Sequence, residues 1–202
     1  MDEKKTMESI KDGFNAYEKI VDKEIHYVYF KENKYQEIVF KPKKANFMHL
    51  CGISYKGMRP AQFYNALKTN KVSPKNIIKK SDGSTDQKLQ IIKYLNELTT
   101  CNIRIIDERS SYLNFSFDKG IRSRKLIFCL AIERINSDTF APTSLLNLKS
   151  NKGKTVKNGF PVHCIYSVDS SSKDIQIMCK SSEFMQYETN NTYFYKNELE
   201  RT

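Results

Sequence analysis

The hydrophobic period of this chain changes along its length, and that change limits the fold more than any other feature. Residues 6 to 22 place Ile10, Phe14, Tyr17 and Val21 at steps of four, three and four, the spacing of one helical face. From residue 102 onward the apolar residues fall instead in short β-rich runs: Asn102 to Asp107, Tyr112 to Phe117, Lys125 to Glu133, Val162 to Val168 and Asp174 to Cys179. Such runs, joined by polar loops like Asp169 to Lys173, predict antiparallel strands. Two more runs, Ile25 to Phe30 and Tyr35 to Phe40, flank the polar Lys31-Glu32-Asn33-Lys34 and predict an early hairpin. The expected class is α+β, with N-terminal helices packed on a C-terminal antiparallel β-sheet. Residues 1–24 read as an N-terminal helical extension and 25–202 as one α+β domain, since a chain of 202 residues supports one core and not two.

Local signals mark the helices between these runs. Asn46 can cap a short helix that Gly52 ends. Pro60 suits a first helical position, with Phe63, Tyr64 and Leu67 turned inward. Ser84-Thr85-Asp86-Gln87 has the form of a capping box and predicts a helix to about Thr100. Phe140 to Leu146 and the basic, glycine-containing Lys149 to Gly159 read as connections, and Tyr193-Phe194-Tyr195 as a final strand.

Thirty-four Lys and Arg against 23 Asp and Glu give a net charge of +11, which makes nucleic acid the first partner to consider. The charged start, Met1 to Thr6, leads into no apolar stretch of signal-peptide length, and no segment suits a membrane span. Five widely spaced cysteines without a Cys-x-x-Cys pair suggest reduced thiols in a cytoplasm. Cys129, Cys164 and Cys179, inside apolar runs, are expected to act as small buried hydrophobes.

Advancing each residue by about 100 degrees on the helix that starts at Ser84 exposes an anomaly. Ile91, Ile92, Leu95 and Leu98 define the apolar arc, and Lys88 falls inside it. A lysine there either snorkels past the core edge or aims a cation inward. Thr85 lies one turn earlier, so a hydroxyl and an ammonium together are placed to hold a phosphate. His49, one of three histidines, projects away from Phe47, Leu50 and Cys51 and can carry a proton near neutrality. His26 and His163 lie in strands and read as structural, and no spacing supplies a metal-ligand set. Thr143 and Ser144 follow Pro142 and present hydroxyls beside the sheet. Arg122, Arg124 and Lys125 form one basic cluster, and Lys149, Lys152, Lys154 and Lys157 another; each is a candidate RNA-binding surface or a solvated face. Tyr112, Phe115 and Phe117 are either core or base-stacking aromatics.

Asn46-Phe47-Met48-His49-Leu50-Cys51-Gly52, Phe63-Tyr64, Thr85-Asp86-Gln87-Lys88-Leu89 and Pro142-Thr143-Ser144-Leu145-Leu146 resemble, in this order, the phage-associated branch of the barnase, EndoU, colicin and RelE-like nucleases. The resemblance runs from about residue 35 to 180 and leaves residues 1 to 24 outside it. It implies helices followed by an antiparallel sheet, and RNA cleavage by His49, Tyr64, Thr85, Lys88 and Ser144. The resulting expectation is a metal-independent, cofactor-free endoribonuclease of a phage or mobile element, with RNA as partner. The guide RNA of a CRISPR effector is a candidate target, by similarity in size and basicity to anti-CRISPR proteins. Two rivals stand beside it: a non-catalytic inhibitor that blocks a nucleic-acid-handling complex, and a DNA-binding regulator, for which no helix-turn-helix is evident.

Overall fold

The computed structural model describes residues 1–113, 115–149, 156–169 and 172–191. Lys152, Lys154 and the expected strand Tyr193 to Tyr195 lie outside them. Helix α1 (Glu3–Tyr17) leads into a hairpin of β1 (Glu24–Lys31) and β2 (Lys34–Phe40). Then come α2 (Lys44–Cys51), β3 (Ile53–Tyr55), α3 (Pro60–Lys68), β4 (Ile77–Lys79) and α4 (Ser84–Leu89), followed by a 3₁₀ segment, Ile92–Thr99. Strands β5 (Ile103–Ile106), β6 (Ser110–Tyr112), β7 (Phe115–Phe117), β8 (Lys119–Ser123), β9 (Phe128–Arg134), β10 (Thr139–Asn147), β11 (Phe160–Val168) and β12 (Ile175–Lys180) precede α5 (Ser182–Asn190).

The α+β class is correct, but the main sheet is not a simple antiparallel sheet. Seven strands run in the order β1-β2-β10-β9-β8-β5-β11, and β11 pairs back onto β1 from Glu24↔Val168 to Tyr29↔Val162, closing a barrel. Strand β12 continues outward from β11. The pairings are antiparallel except β2 with β10, joined in parallel at Val39↔Thr139 and Phe40↔Phe140. Closure pairs β1 on both sides and leaves β12 as the edge strand.

Strand β10 covers the stretch that reads as a connection. Pro142 argues against a strand, because proline cannot donate to a ladder. A bulge resolves the conflict: Pro142 faces Ile132, Ser144 faces Ala131, and Thr143 is the extra residue, its hydroxyl donating to the Ala131 carbonyl at 3.1 Å. The helix expected to reach Thr100 is likewise shorter, ending at Leu89 before the 3₁₀ segment. Ile92, Leu95 and Leu98 recur every three residues and are all fully buried, a spacing that suits the tighter helix.

Helix α1 is not set apart from the rest of the chain: Ile10, Phe14 and Tyr17 join Phe47, Phe63, Leu95, Tyr27 and Phe128 in one hydrophobic core. Gly13 lets α1 approach the 3₁₀ segment, since a Cβ there would lie 2.7 Å from Ile92 Cγ1. Tyr27 on β1 donates to the Leu98 carbonyl at 3.0 Å, tying barrel to helical layer. Asn46 is not the cap of α2. It stands at the third helical position and its side chain accepts from the Lys43 amide at 2.8 Å. Gly52 ends that helix in the left-handed region at φ +69°, as expected. The expectation of reduced thiols fails for one pair, because Cys101 and Cys179 form a disulfide; Cys51, Cys129 and Cys164 are free and buried. Among the described residues, no helix is long and apolar enough to cross a membrane.

Candidate active site

Four elements bring their side chains to one cavity of about 660 Å³: His49 from α2, Lys80 and Asp82 from the loop after β4, Gln87 and Lys88 from α4, and Ser144 and Asn147 from β10. Tyr112, Leu113 and Phe115 of the β6–β7 hairpin form the opposite wall. His49, Lys88 and Ser144, three residues chosen from sequence, thus line one cavity although 39 positions separate the first two.

Lys88 is 8% exposed, which decides between the two readings of its place in the apolar arc: the ammonium is inside. Its Nζ donates to the His49 carbonyl at 3.2 Å, an oxygen that also accepts from the Gly52 amide at 2.9 Å. Burial, reinforced by the nearby Lys80, pulls the Lys88 pKa down to about 8, against opposing pulls from Cys51 and Asp82. His49 is exposed on α2. Partial burial of its ring and the charges of Lys88 and Lys80 hold its pKa below the ordinary histidine range, and a hydrogen bond with the Thr143 backbone works the other way. Near neutrality this pair therefore combines a free imidazole with a still largely charged ammonium. Ser144 is buried to 8% exposure at the cavity wall.

Thr85 differs from the expectation. It is 1% exposed, its hydroxyl donates to the Gly52 carbonyl at 2.5 Å, and the same oxygen accepts from the Lys80 amide at 3.0 Å. Both capacities are used, so Thr85 clamps α4 to the end of α2 and to the Lys80 loop instead of facing a ligand. Tyr64 lies elsewhere, 1% exposed among Phe14, Tyr17 and Phe47, with ring centroids 4.9 Å from Phe14 and 5.8 Å from Phe47. It is a core residue. Arg122 is also not a surface cation: at 3% exposure its guanidinium donates to Asn158 O at 2.8 Å and Ser123 O at 3.0 Å, holding the approach to β11. Arg124 and Lys125 are exposed. Lys149 is exposed over the Tyr94 ring at 4.9 Å, and Lys157 pairs with Glu108 at 2.7 Å.

His26 and His163 are structural, as read: His26 sits between Glu37 at 2.7 Å and Glu24 at 3.2 Å, and His163 is bonded to Tyr35 at 3.0 Å. Among the described residues no three His, Cys, Asp or Glu side chains gather into a ligand set. Lys80, Asp82, Gln87 and Asn147 are the cavity residues that sequence reasoning passed over. The polar Lys80 to Ser84 run ahead of α4 was the visible signal for the first two.

The barrel-cored α+β fold thus brings an imidazole and a buried ammonium to one cavity. The chain matches the phage-Barnase-EndoU-ColicinE5/D-RelE like nuclease4 family over residues 9–183, and it belongs to that family. The match reaches back into α1, which corrects the shorter extent of the resemblance drawn from motifs alone. Neither a curated protein nor a solved structure matches the chain.

Proposed function

We propose that this protein is an endoribonuclease that cleaves RNA without a metal, using the 2′-hydroxyl as nucleophile. The observation that carries the reading is the cavity that His49 and Lys88 both line, one a proton acceptor and the other a buried cation. Neutral His49 takes the proton of the 2′-hydroxyl as that oxygen attacks phosphorus. Lys88 and the Ser144 hydroxyl face the charge that builds on the non-bridging oxygens. The P–O5′ bond then breaks, and the Lys88 ammonium gives its proton to the departing O5′, leaving a 2′,3′-cyclic phosphate and a 5′-hydroxyl. Proton return from the imidazolium to Lys88 through solvent restores the starting state. Thr85 is a positioning residue, acting through Gly52 and Lys80. Exposed Arg124, Lys125 and Lys149 supply the field that holds the polyanion.

The test is incubation of the whole protein with labelled total RNA and with a guide-loaded CRISPR effector, each with and without chelator. Expected are cyclic-phosphate ends, indifference to chelator, no cut at a 2′-deoxy linkage, and loss of cleavage in His49→Ala and Lys88→Met. Intact RNA throughout would remove the enzyme reading. If the protein then still inhibits the effector, and Arg124→Ala with Lys125→Ala relieves that inhibition while His49→Ala does not, a blocking role replaces it.

A further inference from the structure

The cavity lining also holds four residues with no part in the phosphate chemistry: Phe115 of β7, Leu146 and Asn147 of β10, and Gln87 of α4. One backbone group settles the orientation of two amides there. The Lys149 N–H donates to Asn147 Oδ1 at 3.0 Å, and since an amide N–H only donates, the oxygen of Asn147 must face it. Asn147 Nδ2 then points the other way, toward Gln87 O at 3.0 Å, Gln87 Oε1 at 3.2 Å and Gln90 Oε1 at 3.3 Å. Gln87 Oε1 is thereby engaged, and its NH₂ is the half of the amide left for the cavity. Gln87 is exposed, and no hydrogen bond from its NH₂ is made within the described residues. Phe115 is half-buried, backed by the Phe117 ring at 6.3 Å and 24°, so its remaining surface is an apolar wall.

We propose that this part of the lining is a nucleobase subsite that prefers keto over amino bases, the base lying against Phe115 while its exocyclic oxygen accepts from Gln87 Nε2. Uracil O4 and guanine O6 are acceptors, whereas cytosine and adenine carry an NH₂ at the same place and would set donor against donor. The proposal rests on the nuclease reading for its neighbouring phosphate site, but base binding itself requires no cleavage. Asn147 is a positioning residue in this scheme, because it sets which half of the Gln87 amide the base meets.

The experiment is equilibrium binding of the four 3′-nucleoside monophosphates, which this chemistry cannot cleave, to the full chain by calorimetry. Wild type should bind the uridine and guanosine nucleotides on the order of tenfold more tightly than the cytidine and adenosine ones, the worth of about one hydrogen bond. Asn147→Asp should reverse that order: a carboxylate accepts on both oxygens, draws the Gln87 NH₂ toward itself and turns Oε1 to the cavity. Gln87→Leu, at an exposed position, should erase the discrimination, and it keeps the test open if Asn147→Asp fails to fold. Phe115→Ala should weaken all four. Equal binding of the four nucleotides by wild type, or unchanged order in Gln87→Leu, overturns the subsite. Discrimination without RNA cleavage would sink the nuclease reading and leave the subsite standing; cleavage without discrimination would do the converse.

Discussion

Replacing Lys88 with methionine should stabilise the protein while ending cleavage. The ammonium is buried and its pKa stands at about 8 instead of the ordinary 10.5. At about 1.4 kcal/mol for each pH unit, carrying that charge into the fold costs roughly 3 kcal/mol. Methionine keeps most of the stem's volume and removes the charge. It also removes the hydrogen bond to the His49 carbonyl, worth about 1 kcal/mol, but that oxygen keeps the Gly52 amide at 2.9 Å and is not orphaned. The net expectation is a gain of about 1–2 kcal/mol at pH 7, or about 2–8 °C in Tm for a chain of this size. The sign with pH follows from the unfolded chain having the higher pKa. The penalty is fully present below about pH 8, shrinks as pH rises toward 10.5, and is gone above it. Urea unfolding of wild type and Lys88→Met at pH 7 and pH 10 measures both effects. A variant less stable than wild type at pH 7, or a stability gap equal at the two pH values, would refute the reasoning. Such an outcome would mean that the ammonium has water or a counter-charge around it that offsets its burial.

Cleavage by wild type should follow a bell in pH, rising through a pKa below 6.5 as His49 loses its proton and falling near 8 as Lys88 loses its own. Arginine stays charged over that range, so a falling limb that persists near pH 8 in Lys88→Arg would assign that limb to another group. Arg122→Ala should lower stability by about 1–3 kcal/mol, because it strips buried donors from Asn158 and Ser123, and leave the salt dependence of RNA binding unchanged. Arg124→Ala with Lys125→Ala should do the reverse, with Tm near wild type and a shallower salt slope in filter binding. Gly52→Ala should cost about 1–2 kcal/mol in thermal unfolding, since φ is +69° and the new Cβ would stand 2.9 Å from Lys88 Cδ and 3.3 Å from Thr85 Cα. It should also slow cleavage under conditions where the protein is fully folded, and an unaltered rate would show that Lys88 is not held where the site needs it.

Much of the local design was legible along the chain. The helical phase that puts Lys88 in the apolar arc and His49 outside it, the left-handed end at Gly52, the start at Pro60 and most of the strands are encoded within a few residues of each position, where backbone preference and hydrophobic period act. Phase survives even where the helix itself changes: α4 gives way to a 3₁₀ segment, yet Ile92, Leu95 and Leu98 remain buried. What local pattern misreads are residues whose role depends on a distant neighbour. Pro142 reads as a loop until a bulge against β9 accommodates it. Arg122 and Lys88 are both cations in sequence, and only packing makes one a brace for Asn158 and the other the floor of a cavity. Tyr64, which helical phase already turns inward, was a site residue only through its matching motif, and it is core, packed against Phe14 of α1.

By itself, then, the chain's order of residues determined the helices-and-strands class, the basic charge and the place of Lys88 within an apolar helical arc, since each is a property of composition or of spacing along a few turns. The tertiary structure alone decided that β1 meets β11 to close a barrel, that His49 and Lys88 share one cavity, and that Asn147 turns the Gln87 amide. Those facts rest on contacts between residues tens to more than a hundred positions apart, and the geometry that forms them belongs to the folded chain as a whole and leaves no periodic trace along it.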